Sequence, residues 1–125
     1  MTRKRILMIE DDEEMIALGE LILEKQGFGV LSATNGPAGL EILAREPVDL
    51  VLLDVMMDEM DGWQVLEQIR AQASRKDLPV IMLTARHYLE DQDETERYAH
   101  LYNGYIVKPF VVRELIDQVN EALST

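Results

Sequence analysis

The sequence predicts an α/β fold in which a parallel sheet is covered by helices on both faces. Short, nearly continuous apolar runs alternate with longer amphipathic stretches along the chain. A short uninterrupted apolar run is typical of a strand buried on both faces, as in a parallel sheet. The five runs are Ile6-Leu7-Met8-Ile9, Val30-Leu31, Leu50-Val51-Leu52-Leu53, Val80-Ile81-Met82-Leu83 and Tyr105-Ile106-Val107. Alternation of this kind requires right-handed crossovers, and therefore a three-layer α/β/α sandwich.

The stretches between these runs carry apolar residues at helical spacing. Four sets show it: Met15, Leu18 and Ile22; Leu40, Leu43 and Ala44; Trp63, Leu66 and Ile69; and Val112, Leu115, Ile116, Val119 and Leu123. Turn residues mark the boundaries. Gly27 is a predicted helix C-cap, while Asn35-Gly36-Pro37 and Asp61-Gly62 open the next helices. Pro79 starts the fourth strand at a position where the sheet loses little hydrogen bonding.

Composition restricts the function classes. With 125 residues, 47% hydrophobic and 29% charged, the chain is expected to form one domain over residues 1–125. The net charge of −12 disfavours direct binding to a nucleic acid. There is no cysteine, which excludes disulfides and thiolate chemistry. No apolar run approaches the roughly 18 residues of a membrane helix, and no signal peptide is recognisable, so a cytoplasmic location is expected.

Charged or hydroxyl side chains directly follow four of the five strands. They are Glu10-Asp11-Asp12, Asp54, Thr84 and Lys108. Because the carboxyl ends of parallel strands meet at one edge of the sheet, these side chains are expected to lie close together.

The acidic residues at this edge have two interpretations. Carboxylates at Glu10 to Glu14 also suit the start of a helix, because the helix dipole favours negative charge there. Asp54, however, follows a buried strand, and clustered carboxylates repel one another unless a cation lies between them. Oxygen ligands favour Mg²⁺, Mn²⁺ or Ca²⁺ over zinc. Thr84 and Lys108 add a hydroxyl and a fixed positive charge, a combination suited to phosphoryl transfer.

In order and spacing these motifs resemble the receiver domain of two-component response regulators. The matching pieces are Ile6 to Asp12, Asp49 to Met57, Met60-Asp61-Gly62, Leu83-Thr84-Ala85 and Lys108-Pro109-Phe110. The resemblance implies a flavodoxin-like, doubly wound, five-stranded parallel sheet with strand order 2-1-3-4-5.

The resemblance also implies a role for each acidic residue. Asp54 would accept a phosphoryl group from a phosphohistidine of a sensor histidine kinase or a histidine phosphotransfer protein. Mg²⁺, or Mn²⁺ in its place, would be held by Asp11, Asp54 and the backbone carbonyl of Met56, with Glu10 acting through water. Asp11-Asp12 is the alternative metal pair. Glu10-Asp11 is favoured because Glu10 directly follows the strand, which leaves Asp12 as a helix cap with a secondary electrostatic part.

The remaining roles concern switching and phosphoryl lifetime. Lys108 and Thr84 would each bind a phosphoryl oxygen, and Tyr105 would turn inward when Thr84 moves. Output to a downstream protein or effector domain, and homodimer formation, would use the fifth strand, the fourth of five helices, which is expected between Thr84 and that strand, and the fifth helix, which is the one predicted around Val112 to Leu123. Met56 and Arg86 would modulate water attack on the phosphoryl group. The Lys108-Pro109 bond is often cis in this family.

The segment between Thr84 and Lys108 departs from the family pattern. It is longer than usual, rich in acids, and carries His100-Leu101-Tyr102-Asn103-Gly104 in place of the usual Gly-Ala-Asp. Because its acids repel one another and its apolar face is thin, residues 86–96 are expected to be the most mobile part of the unphosphorylated domain. His87 and His100 are expected to have surface or packing roles.

Three other functions compete with this interpretation. A hydrolase of the haloacid dehalogenase type also uses an Asp nucleophile and Mg²⁺, but it needs a second Asp where this chain has Met56. Flavin binding on a flavodoxin-like fold is disfavoured because Glu10-Asp11-Asp12 would repel the flavin phosphate. A receiver-like interaction module that is never phosphorylated would be expected to lack Asp54 or Lys108.

Overall fold

Five parallel strands form a single sheet in the order β2-β1-β3-β4-β5, as the resemblance predicted. The computed structural model describes residues 3–85 and 96–124. The strands are β1 Arg5–Ile9, β2 Gly29–Ala33, β3 Leu50–Asp54, β4 Val80–Ala85 and β5 Gly104–Lys108. The helices are α1 Glu13–Lys25, α2 Gly36–Arg45, α3 Gly62–Ala71 and α4 Val112–Leu123, with a 3₁₀ turn at Ala73–Arg75. The predicted α/β alternation is therefore confirmed.

Two apolar cores lie on opposite faces of the sheet. Because neighbouring strand residues point to opposite faces, Ile6 and Met8 of β1 face one core while Leu7 and Ile9 face the other. The first core also contains side chains of α1 and α4, and the second contains side chains of α2 and α3. This arrangement gives the three layers.

The helices begin where the turn residues predict. Asn35 caps α2 through its side chain, which accepts a hydrogen bond from the Ala38 N–H at 2.8 Å. Asp61 caps α3 in the same way and forms a reciprocal pair of hydrogen bonds with Gln64, a capping box. Gly27 follows α1 with a φ of +92°, a conformation in which a glycine is favoured. The two caps fix the starts of α2 and α3 at the carboxyl edge of the sheet, whereas Gly27 lies at the opposite edge, just before β2 begins.

The buried face of α1 agrees with the predicted one at Ile22 and Met15, which contribute to the first core, and differs at Leu18. Ile16, Gly19, Ile22 and Leu23 are buried, whereas Leu18 is 37% exposed. Gly19 lies directly against the side chain of Met8, where a methyl group would clash. Because Gly19 has no side chain, α1 packs closely on the sheet at this point, and Leu18, its neighbour in the chain, stays at the edge of the buried face.

Residues 86–95 lie outside the described part of the chain. The predictions for Arg86 and His87, and the predicted mobility of residues 86–96 as a whole, therefore stay predictions. Within the described residues, no helix is long and apolar enough to cross a membrane.

Candidate functional site

The carboxyl ends of the central strands bring two buried acids and one lysine together. Glu10 follows β1 and Asp54 ends β3, and these strands are direct neighbours in the sheet. The Glu10 backbone N–H donates to the Ala33 carbonyl at 3.0 Å, which continues the pairing of β1 with β2. Glu10 is fully buried and Asp54 is 1% exposed. Because water does not reach these two carboxylates, each needs a cation or a hydrogen-bond donor from the protein nearby.

Lys108, at the end of β5, supplies that partner. Its Nζ donates to Glu10 Oε1 at 2.9 Å and to Asp54 Oδ1 at 3.1 Å. The lysine side chain is only 17% exposed, so water screens these ion pairs weakly. The bond between Lys108 and Pro109 is cis. One positive charge thus faces two buried carboxylates.

The proton affinities of the three groups reflect this imbalance. Burial, followed by the nearby Glu10, raises the pKa of Asp54 against the opposing effect of Lys108. Burial also raises the pKa of Glu10, but hydrogen bonds with Asp54 and Lys108 outweigh it and leave that pKa lowered. Burial lowers the pKa of Lys108, and its bonds to the two acids more than reverse the effect. The single positive charge of Lys108 does not balance the negative charge of the two buried carboxylates, so the site favours a second cation.

The acidic residues fit a divalent cation. One carboxylate oxygen each from Glu10, Asp11 and Asp54 lie within 4.8 Å of one another. Asp54 Oδ2 is buried and makes no hydrogen bond, so one oxygen of the central carboxylate is unpaired. A donor set made only of oxygen atoms suits Mg²⁺ or Mn²⁺.

Asp11 and Asp12, which follow Glu10 in the chain, lie in different environments. Asp11 is exposed but belongs to the carboxylate cluster, and desolvation together with Glu10 raises its pKa. Asp12 is the N-cap of α1, and its side chain accepts from the Glu14 N–H at 2.9 Å. The Asp12 N–H also donates to Glu10 Oε2 at 3.2 Å. The side chain of Asp12 therefore acts on the helix, as the sequence predicted.

The loop after β3 is held close to Asp54. The Met56 N–H lies 3.3 Å from Asp54 Oδ1, and the Met56 side chain is 46% exposed beside the site. Gly62 donates its N–H to the Val55 carbonyl at 2.9 Å. A side chain at Gly62 would collide with the Asp54 backbone carbonyl. Within this loop Glu59 adopts a φ of +68°, a feature that the sequence does not indicate.

The other predicted residues lie on β4 and β5. Thr84 is buried at 4% exposure, and its hydroxyl donates to the Ala85 carbonyl at 3.1 Å. Tyr105 is 44% exposed on β5. His100 is exposed on the surface. The structure thus groups Glu10, Asp54 and Lys108 tightly, while the Thr84 hydroxyl and the Tyr105 ring point to other partners.

A cluster of aromatic side chains lies near this edge, and the sequence pattern does not reveal it. Trp63 follows Gly62 in α3 and contacts the rings of Tyr98 and Tyr102. The spacing of apolar residues identifies Trp63 only as part of a helix face. In the sequence, the cluster is indicated only by the tyrosines Tyr98 and Tyr102, which lie in the segment between Thr84 and Lys108 that departs from the family pattern.

Comparison with known proteins agrees with this geometry. A family model described as the response regulator receiver domain matches residues 6–120. The sensory transduction protein RegX3 of Mycobacterium tuberculosis is 37% identical over 121 residues, which cover 94% of this chain and 50% of that protein. The chain spans about half the length of the curated relatives it matches.

Solved structures show the same fold. A CheY-like receiver domain protein from Methanospirillum hungatei has a TM-score of 0.87 at 29% identity, over 98% of this chain and 95% of that one. The response regulator protein TrrA from Thermotoga maritima, solved in complex with Mg²⁺ and BeF, has a TM-score of 0.84 at 30% identity, over 96% and 99% of the two chains. The chain belongs to the response regulator receiver domain family of two-component signal transduction.

Proposed function

We propose that this chain is a phosphorylation switch in which Asp54 accepts a phosphoryl group from a phosphohistidine. The observation that carries the proposal is the environment of Asp54: a buried carboxylate with one unpaired oxygen, contacted by Lys108 and grouped with Glu10 and Asp11. The donor is the phosphohistidine of a sensor kinase or of a phosphotransfer protein. Receiver domains are signalling domains, and this assignment follows the family.

The transfer requires an ionised Asp54. One of its carboxylate oxygens attacks phosphorus, the bond between phosphorus and the imidazole nitrogen breaks, and the electron pair returns to the histidine ring. The product is an acyl phosphate on Asp54 and, once the released ring nitrogen takes a proton from water, a neutral histidine on the donor. Lys108, already 3.1 Å from Asp54 Oδ1, is placed to neutralise charge on the transferred group. Glu10 holds Lys108 in this position through its 2.9 Å bond.

Asp11, Asp54 and the Met56 backbone carbonyl are the ligands we assign to Mg²⁺, with Glu10 acting through water and Mn²⁺ as a substitute. The bound cation would neutralise negative charge as the phosphoryl group is transferred. The unpaired Asp54 Oδ2 and the clustered carboxylates support this assignment. The Mg²⁺–BeF complex of TrrA, a relative of the same fold, supports it further.

The signal would leave the site through Thr84 and Tyr105. Thr84 would turn its hydroxyl from the Ala85 carbonyl to a phosphoryl oxygen, and Tyr105 would turn inward as Thr84 moves. The surface formed by β5, α4 and the helix predicted before β5 would then change its affinity for a downstream protein, an effector domain or a second copy of the chain. The exposure of Tyr105 on β5 supports this route.

Phosphorylation by a small donor tests the proposal. After incubation with Mg²⁺ and phosphoramidate, intact mass should show one added phosphoryl group on the wild type and none on Asp54→Asn. Asp58→Asn is the matched control, since it removes an exposed acid from the same loop. Full labelling of Asp54→Asn, or loss of labelling in Asp58→Asn alone, would contradict the assignment of Asp54.

A further inference from the structure

Four aromatic rings, one of them on α3 and one on β5, form a continuous series, which we call the aromatic ladder: Tyr98, Trp63, Tyr102 and Tyr105. Tyr98 stacks on Trp63, with ring centroids 4.9 Å apart and planes 6° apart. Trp63 contacts Tyr102 at 5.9 Å, and Tyr102 meets Tyr105 edge to face at 6.2 Å and 79°. Aromatic pairs at these separations and angles attract one another beyond simple burial.

Trp63, the second ring of the aromatic ladder, lies next to the acceptor strand. Trp63 is 4% exposed and directly follows Gly62, whose backbone packs against the Asp54 carbonyl. The Gly62 N–H also donates to the Val55 carbonyl at 2.9 Å. Trp63 is therefore a rigid support for the rings that contact it.

The middle of the aromatic ladder is fixed by Arg70. The guanidinium group of Arg70 donates to the Leu101 carbonyl at 2.8 Å and to Asn103 Oδ1 at 3.2 Å. These two residues flank Tyr102, and the Asn103 N–H also donates to the Val80 carbonyl at 2.8 Å, so the backbone is held on both sides of Tyr102. With its ring against Trp63, Tyr102 presents a fixed surface to its other neighbour.

At the far end, the side chain of Tyr105 is less constrained than its backbone. The Tyr105 carbonyl accepts from Gln118 Nε2 at 3.0 Å, and β5 pairs with β4 in register. The Tyr105 ring, in contrast, is 44% exposed. Its contact with Tyr102 therefore favours the exposed orientation over an inward one.

We propose that Tyr102 is a positioning residue that holds Tyr105 in its exposed orientation, with Trp63 as its support. The inference rests on the proposed function, in which an inward Tyr105 accompanies phosphorylation. Loss of one aromatic contact changes the ratio of two orientations by about fivefold. Because coupling is reciprocal, loss of the Tyr102 ring also tightens binding of a phosphoryl mimic at Asp54 by about the same factor.

Fluorine NMR of protein labelled with 3-fluorotyrosine tests the proposal. The Tyr105 signal is assigned with Tyr105→Phe, and its solvent isotope shift reports ring exposure without any ligand. In Tyr102→Leu we expect a smaller isotope shift, as the ring turns inward, and about fivefold tighter binding of beryllofluoride with Mg²⁺. Tyr98→Leu is the matched control, because Tyr98 stacks on Trp63 rather than on Tyr105, and it should retain wild-type values.

An unchanged or larger isotope shift in Tyr102→Leu would overturn the proposal, as would an equal effect of Tyr98→Leu. If Tyr102→Leu does not fold, the fluorescence emission of Trp63 in the wild type tests the proposal instead. Trp63 is the only tryptophan in the sequence, so the emission reports on this residue alone. Emission must change when Mg²⁺ and beryllofluoride are added, and unchanged emission would contradict the proposal. If the proposed function is wrong, intact mass will show that Asp54 is not phosphorylated. The isotope shift of Tyr105 is measured in the free protein and therefore tests the role of Tyr102 separately.

Discussion

Gly62 packs against the backbone carbonyl of Asp54 so closely that a Cβ atom there would overlap it. The glycine opens α3, and its N–H donates to the Val55 carbonyl. The start of this helix and the end of the acceptor strand are thus one rigid unit. A change at Gly62 is transmitted directly to the position of the acceptor carboxylate.

Gly62→Ala should therefore destabilise the domain by about 1–3 kcal/mol, because the added methyl group must displace backbone atoms. Phosphorylation of Asp54 should also slow. Urea unfolding and intact-mass kinetics measure the two effects. Gly29→Ala is the matched control: its methyl group meets only ordinary contacts on the edge strand β2, so its stability should be unchanged or slightly higher. Equal stability of Gly62→Ala and Gly29→Ala would contradict the packing argument.

Among the described residues, Lys108 alone forms ion pairs with both buried acids, Glu10 and Asp54. Lys108→Met keeps the apolar stem and leaves those acids without a cation, so in EDTA we expect a loss of about 3 kcal/mol in unfolding free energy. Mg²⁺ should restore part of this loss, since it would supply positive charge at the same place. Urea titrations with EDTA and with Mg²⁺ make the comparison.

The control for Lys108→Met is Lys25→Met, at the exposed end of α1. It should change stability by only a few tenths of a kcal/mol. If Lys108→Met were as stable as Lys25→Met in EDTA, the buried acids would not depend on the lysine.

The positions of the strands could be predicted because the length of each apolar run depends on whether its strand lies in the centre or at the edge of the sheet. The four-residue runs belong to β1, β3 and β4, which have neighbours on both sides and are buried on both faces. The shorter runs belong to the edge strands β2 and β5, which are only partly buried. The acids at the carboxyl ends of β1 and β3, and the lysine at the carboxyl end of β5, could be placed for the same reason.

Tertiary packing explains what the sequence could not predict. The buried face of α1 depends on Gly19, a residue that carries no apolar signal but lies against Met8. The contact of Trp63 with Tyr102 joins residues far apart in the chain, and no periodicity reports it. The Thr84 hydroxyl bonds to the Ala85 carbonyl, a choice of side-chain orientation that residue type leaves open.

Metal dependence should separate Asp11 from Asp12. Mg²⁺ should raise the melting temperature of the wild type, because clustered carboxylates gain a cation. Asp11→Asn should reduce that increase strongly, since Asp11 belongs to the carboxylate cluster. Asp12→Asn should reduce it little, because asparagine caps a helix about as well as aspartate. Differential scanning calorimetry with and without Mg²⁺ measures both. A larger loss in Asp12→Asn would assign the metal pair to Asp11-Asp12.

The rim of the site carries further exposed acids, including Glu13 and Glu14 in the first turn of α1 and Asp58 and Glu59 after β3. A small anionic phosphodonor, such as acetyl phosphate, must approach through this negative field. Its rate of Asp54 labelling should therefore rise about two- to threefold as ionic strength increases from about 0.02 to 0.2 M, because salt screens like charges.

The double variant Glu13→Gln/Glu14→Gln should label faster at low salt and show a smaller salt effect, since two of the repelling charges are gone. Glu24→Gln/Glu121→Gln is the control with the same change in net charge: Glu24 lies in the last turn of α1, about 16 Å from its start, and Glu121 in the last turn of α4. Intact-mass time courses at constant Mg²⁺ give the rates. If both double variants raised the rate equally, the effect would belong to overall net charge. If salt slowed the wild type instead, the rim would not repel the donor.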